Sequence, residues 1–249
     1  MSQPASRIIT DILNDAALRL DSSESVVTRQ FLTNLRTLPD FIFKIARTMD
    51  EHDLDIMDTA GGMDGKAFPD WPYLHDIVDL YLAERGLLVE KARQLMLTWL
   101  FAAIVVWEVR SKPGQRWGWV TLKEGHADEA LERMWAIIEH MPGQSIKTQQ
   151  GAKAFKDAGG VLWKRSYCRI EIPSLRSNVH GMSQNVDDAR SFTFSGIVVD
   201  EAAFQPKFQD AFSSLKPTID KGRFVGITTA GPFGFCHQLF SGKSFEDIA

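Results

Sequence analysis

The 249-residue sequence holds only two cysteines, Cys168 and Cys236, far apart and without the spacing of metal ligands. That excludes a disulfide scaffold and a zinc module, and it points to a reducing, cytosolic setting. Long hydrophobic runs are also missing: the longest, Leu95 to Trp107, is too short to span a bilayer and reads as a buried helix. Met1 to Arg7 is polar and lacks the apolar stretch of a secretion signal. There is no surplus of positive charge either. The net charge is −4, so any contact with nucleic acid must come from a local basic surface. Repeats and low-complexity linkers are absent, and so is the standard phosphate loop G-x-x-x-x-G-K-[ST]. What is present is 44% hydrophobic and 24% charged, the balance of a soluble globular chain with one large domain or two small ones.

Periodicity divides the chain. Residues 1 to about 49 carry helical spacing, first in Ile8, Ile9, Ile12 and Leu13, then in Val26, Val27, Phe31 and Leu35. Ser22 or Ser23 is placed to cap the second of these helices. Residues 50 to 70 are acidic and glycine-bearing, and Asp53-Leu54-Asp55 lacks the later ligands of a calcium loop, so a solvated loop is expected. From Trp71 onward, helices and strands alternate. The pattern predicts helices over His75–Glu84 (ended by Gly86), Thr98–Val109, Asp128–His140 (stopped by Pro142-Gly143) and about Phe208–Leu215. Strands are expected at Leu87–Val89, Arg116–Leu122, Cys168–Ile172, Ile197–Val199 and Phe224–Ile227. Such alternation implies an α/β fold with a mostly parallel sheet and helices on both faces. The expected organisation is a helical N-terminal extension over residues 1–60 followed by an α/β domain over 61–249.

One stretch departs from the overall charge. Between Ile146 and Arg176 stand Lys147, Lys153, Lys156, Lys164, Arg165, Arg169 and Arg176 against only Asp157 and Glu171, with Phe155, Trp163 and Tyr167 interleaved. This can be a phosphate-tracking surface with stacking aromatics, or a solvated face over core aromatics. The histidines His52, His126, His140 and His180 fall into no ligand or catalytic spacing, and the scattered tryptophans read as core.

Three segments carry chemistry in combination. Ile197-Val198-Val199-Asp200-Glu201 puts two carboxylates at the C-terminal end of a buried strand, the edge where ligands bind in open α/β sheets. Asp200 there suits a magnesium ion and Glu201 suits orientation or deprotonation of a water. About one crossover later, with Gln205 to Pro217 supplying the helix, a second strand ends in Thr228-Thr229-Ala230-Gly231-Pro232. Upstream, Lys91-Ala92-Arg93-Gln94-Leu95-Met96-Leu97-Thr98 follows a strand and opens an apolar helix, the context that a phosphate loop needs. Thr98 stands where a magnesium-binding hydroxyl belongs. The usual late lysine is replaced by Leu97, which leaves Lys91 and Arg93 to supply positive charge.

With these segments in order, residues 65 to 245 resemble the ATPase domain of tailed-phage terminase large subunits. Lys91-Ala92-Arg93-Gln94 and Thr98-Trp99 are similar to that family's variant phosphate loop, Asp200-Glu201-Ala202-Ala203-Phe204 to its Walker B segment, and Ile227 to Gly234 to its coupling motif. Trp71-Pro72-Tyr73-Leu74-His75 resembles its adenine-side segment. The resemblance implies a P-loop NTPase fold of the ASCE, RecA-like kind, with ATP and Mg2+ as cofactors. It implies ATP hydrolysis that drives double-stranded viral DNA into a procapsid in the cytoplasm of the infected host cell. Implied partners are the portal protein, a small terminase subunit and further copies in a homo-oligomeric ring, with no membrane. Thr98 and Asp200 would bind the metal, Lys91 and Arg93 the phosphates, and Glu201 would activate water. Thr228 and Thr229 would couple hydrolysis to movement, and Arg190 is a candidate arginine acting on a neighbour. Large terminases continue into an RNase H-like nuclease; none is visible before Ala249, so no DNA cutting is expected of this chain. Two other readings stay open: a helicase-like ATPase acting on nucleic acid, and a nucleotide switch that barely hydrolyses.

Overall fold

The computed structural model describes residues 24–49, 65–92, 95–147, 153–184, 193–219, 222–231 and 235–240. Its centre is a nine-stranded sheet built from β3 (Gly86–Lys91), β4 (Arg116–Thr121), β5 (Gly143–Ile146), β6 (Lys153–Asp157), β7 (Leu162–Ser166), β8 (Arg169–Ile172), β9 (Ser177–Ser183), β10 (Gly196–Asp200) and β11 (Arg223–Thr229), in the order β3-β11-β10-β4-β9-β8-β7-β6-β5. The pairings from β3 across to β9 are parallel, and those from β9 across to β5 are antiparallel. Four of the expected strands (β3, β4, β10 and β11) form the parallel half with β9, which the sequence pattern did not indicate, while the fifth, Cys168–Ile172, falls in the antiparallel half as β8. The rest of the antiparallel meander is an addition to the expected sheet. Two short strands, β1 (Arg47–Thr48) and β2 (Lys66–Ala67), pair separately.

The helices are α1 (Glu24–Asn34), α2 (Leu38–Asp40, continued by a wider turn over Phe41–Ile45), α3 (Pro72–Ala83), α4 (Leu97–Ser111), α5 (Glu124–Glu139), α6 (Phe208–Ile219) and α7 (Phe235–Phe240). The strands alternate faces as their two-residue period requires. Trp117, Trp119, Val179, Val198, Val225 and Ile227 share one core with α4, α5 and the segment 31–46. Val120, Met182, Ile197, Val199 and Phe224 share the other with Phe208 and Phe212 of α6. Helices therefore cover both faces, and α1 and α2 belong to the main core: the Trp107 indole donates to the Leu35 carbonyl at 2.9 Å.

Some boundaries shift for local reasons. Helix α3 begins at Pro72 rather than His75, because proline fits the first turn, where its missing N–H has no partner to lose. Gly86, expected to end that helix, opens β3 instead. Helix α5 begins at Glu124, four residues earlier than the spacing indicated.

Helix α4 is buried at every position from Leu100 to Arg110. Its two charged residues in that span are therefore both partnered. Glu108 accepts from the Tyr81 hydroxyl at 3.0 Å and from Lys112 at 2.6 Å. Arg110 grips Asp157 of β6 with contacts of 2.6 and 3.3 Å. Asp157 also accepts from the Trp163 indole and the Val161 amide, both at 3.1 Å, which ties the meander to α4.

Part of the basic stretch is structural. Phe155 and Trp163 lie in the core, and Arg165 is buried against Asp128 at 3.0 Å and Glu132 at 2.9 Å. Lys153 pairs with Glu132 and Arg169 with Glu171, so the positive residues do not form one free face. Strand alternation is the reason in β7 and β8, where every second residue turns inward.

Removing one partner of a buried ion pair strands the other. Asp157→Ala should lower stability by about 3–5 kcal/mol, read as a fall in the urea midpoint, whereas an unchanged midpoint would detach the meander from α4 energetically.

Candidate active site

Three parallel strands deliver polar side chains to one edge. Strand β3 ends in Lys91, β10 in Asp200, and β11, which lies between them, in Thr228-Thr229. The chain returns from β3 through a short loop into α4, whose first turn carries Thr98. The Thr98 hydroxyl donates to Asp200 Oδ2 at 3.3 Å, bringing together residues 102 positions apart. The N–H groups of the first turn of α4 have no intrahelical acceptors and carry the positive end of the helix dipole to the same place.

Two residues bordering the site hold the left-handed backbone that side chains other than glycine rarely adopt. Met96 (φ 58°) is the N-cap of α4, and Glu201 (φ 53°) follows β10 directly. The second case has a clear consequence. Neighbours in a strand point to opposite faces, so Asp200 and Glu201 would diverge. The left-handed turn at Glu201 breaks the alternation, and both carboxylates line one cleft. Such a conformation costs on the order of 1 kcal/mol and tends to occur at functional sites.

The Glu201 carboxylate is held from two sides. Lys91 Nζ lies 3.7 Å from Oε1, and the Thr229 hydroxyl donates to Oε2 at 3.3 Å. Thr228 is buried: its hydroxyl accepts from the Ala203 amide at 3.1 Å and donates to the Thr229 carbonyl at 2.9 Å, joining the end of β11 to the turn after β10. Asp200 accepts from the Glu201 amide at 3.0 Å. Burial pushes the Asp200 carboxyl above its ordinary value; Lys91 opposes that shift and Glu201 adds to it.

The cleft has a volume of about 550 Å³. Its far wall, formed by Thr121 and by His126, Glu129 and Arg133 of α5, was not singled out by sequence reasoning as part of the site. The signal was there, since 126, 129 and 133 fall on one helical face, but which face meets the sheet edge depends on tertiary packing. Gln205 was missed as well. Its buried amide donates to the Asp200 carbonyl at 2.7 Å and fixes the turn after β10.

Other expected site residues lie around the loop. Tyr73 donates to the Leu95 carbonyl at 3.1 Å, and Trp71 stacks on Tyr73 at 5.7 Å. His75 is engaged by Asp70 at 2.5 Å and by the Phe43 ring at 4.0 Å. Leu97 is buried, Met96 is half-buried and Ala92 is exposed. Arg93, Gln94, Arg190 and residues 232–234 fall outside the described residues.

The chain is thus of the mixed α/β class, with a parallel core sheet and a cleft of mixed charge at the carboxyl ends of its strands. No protein-family model matches the sequence. Solved structures matching its fold include the large terminase ATPase domain of Thermus phage P74-26, at 17% identity over 62% of each chain with a TM-score of 0.45. A second is the Phi-28 gp11 DNA packaging motor, at 12% identity over 68% of this chain and 54% of that one, with a TM-score of 0.47. A third is the large terminase of a thermophilic bacteriophage in complex with ADP, at 11% identity over 65% of this chain and 37% of that one, with a TM-score of 0.43. This chain therefore spans 37% to 62% of the length of these three. Among the described residues, no helix is long and apolar enough to cross a membrane.

The raised Asp200 pKa makes a signed prediction. Below the pKa of an unfolded aspartate both states are protonated and there is no penalty; as pH rises through the folded value, the buried charge withdraws stability. Without divalent cations, Asp200→Asn should melt above the wild type at pH 8, with the gap closing toward pH 4. A gap that is constant across this range would remove burial of the charge as the cause.

Proposed function

We propose that this cleft binds ATP with Mg2+ and hydrolyses it, and that hydrolysis drives double-stranded viral DNA into a procapsid. The observation that carries the reading is the convergence of Lys91, Thr98, Asp200, Glu201 and Thr229 on one sheet edge at the start of a long helix. The donor set fits a magnesium ion: a hydroxyl and a carboxylate 3.3 Å apart are hard oxygen ligands, and the burial penalty on Asp200 is one that a cation offsets. Magnesium held by Thr98 and Asp200 would neutralise charge on the terminal phosphates.

The chain's own groups do the rest. The first-turn amides of α4 and the ammonium of Lys91 bind phosphate oxygens, with Arg93 as a second loop cation. Glu201 orients a water for in-line attack and takes its proton as the new oxygen–phosphorus bond forms and the bond to ADP breaks. Thr229 contacts Glu201, and Thr228 contacts the turn after β10, so the state of the site passes along β11. Arg133, across the cleft, is a further cation near the phosphates. The adenine is assigned to the Trp71, Tyr73 and His75 side of the loop. The portal protein, a small terminase subunit and other copies in a ring are the partners of this reading, with Arg190 reaching a neighbouring site and the host cytoplasm as its location.

A second reading has its own observation. Leu97 stands buried where the late lysine is usual, which favours a nucleotide switch that barely hydrolyses. Steady-state turnover separates the two. Glu201→Gln should lower it by about 10²- to 10⁴-fold while nucleotide affinity persists. Thr98→Ala should weaken the dependence on magnesium. Wild-type turnover no higher than that of Glu201→Gln sinks the enzyme reading and leaves the switch.

A further inference from the structure

At the edge of the sheet remote from this cleft, four of the five parallel strands have an arginine at, or immediately before, their first residue. Arg223 opens β11 and Arg116 opens β4, while Arg85 stands immediately before β3 and Arg176 immediately before β9. The register Phe224↔Gly86, taken one step back, sets Arg223 beside Arg85. Arg85, Arg223, Lys112, Glu108, Ser195 and Trp117 line a second cleft of about 420 Å³ at this edge.

Among the described residues its charge is not cancelled. Glu108 is met by Lys112 at 2.6 Å and by the Tyr81 hydroxyl, which leaves two guanidinium groups in excess. Among the described residues Arg223 is fixed by neutral groups: it donates to the carbonyls of Tyr81 and Glu84 and lies 4.5 Å from the Tyr81 ring centre. Such partners orient a guanidinium without neutralising it. Arg85 is exposed and makes no ion pair among the described residues. A concave site with two guanidinium groups that make no ion pair among the described residues fits an oxyanion.

We propose that this edge binds the phosphate backbone of duplex DNA, the cleft taking one phosphate and Arg116 and Arg176 continuing the track. Strands lie about 4.8 Å apart, so the edge from β3 to β9 runs about 19 Å. One DNA strand presents a phosphate per roughly 3.4 Å of helix axis, or about six over that length. A free phosphate would use the cleft and leave the two outer, exposed arginines idle; a polyanion engages all four. This assignment rests on the reading that the chain acts on DNA, and it moves the contact from the basic meander to the sheet edge opposite the nucleotide.

The test uses the full chain and a labelled duplex of about 30 base pairs, titrated between about 50 and 200 mM salt. Arg85→Gln and Arg116→Gln should each flatten the slope of log affinity against log salt by about one unit, and the double variant by about two. Arg85→Lys should retain the slope, Lys164→Gln should leave it unchanged, and turnover without DNA should stay at the wild-type level in every variant. A wild type that binds duplex and a double variant with the same slope overturn this assignment alone. A wild type that binds no duplex at low salt overturns it together with the DNA reading, while leaving ATP hydrolysis standing. Equal affinity for polyglutamate, or displacement of duplex by inorganic phosphate at constant ionic strength, also overturns it.

Discussion

The burial of α4 is the constraint from which the rest of the molecule follows. A helix enclosed from Leu100 to Arg110 has only its ends in contact with water, and each end must resolve its own electrostatics. At the C-terminal end, Glu108 and Arg110 could not remain bare in the core. Tyr81 and Asp157 meet them, and through those contacts α3 and the antiparallel meander become part of the same body. At the N-terminal end, the unpaired amides emerge beside the carboxyl ends of β3, β11 and β10. Stability and chemistry are in this sense the two ends of one helix.

The chemistry in turn is held together against local preference. Asp200 is half-buried where its charge is disfavoured, and Met96 and Glu201 hold a backbone that their side chains resist. What keeps them there is the surrounding lattice of short contacts. Thr98 reaches Asp200, Gln205 clamps the turn, and Thr228 ties β11 to it. Strain of this kind persists only when the neighbours over-determine the geometry.

How much of this could be read from the chain depended on the range of the signal. The strands carrying Val198 and Val225 were legible because continuous apolar runs mark buried parallel strands. So was the pairing of Asp200-Glu201 with Thr228-Thr229, because one crossover length separates them. The meander was less legible. Arg165 and Lys164 look alike in sequence, yet one is buried between two carboxylates and the other is exposed, and only the register of β7 against its neighbours decides which. His126, Glu129 and Arg133 share a helical face that the sequence shows, but they belong to the cleft because α5 packs across β4, which local spacing does not decide.

The contact between Lys91 and Glu201 has a consequence of its own. On the proposed reading, an arriving phosphate competes with the Glu201 carboxylate for the three N–H donors of Lys91. Binding would then be partly an exchange of counterions rather than the filling of a bare positive socket, with the carboxylate ready to strengthen its hold on Lys91 as a phosphate departs.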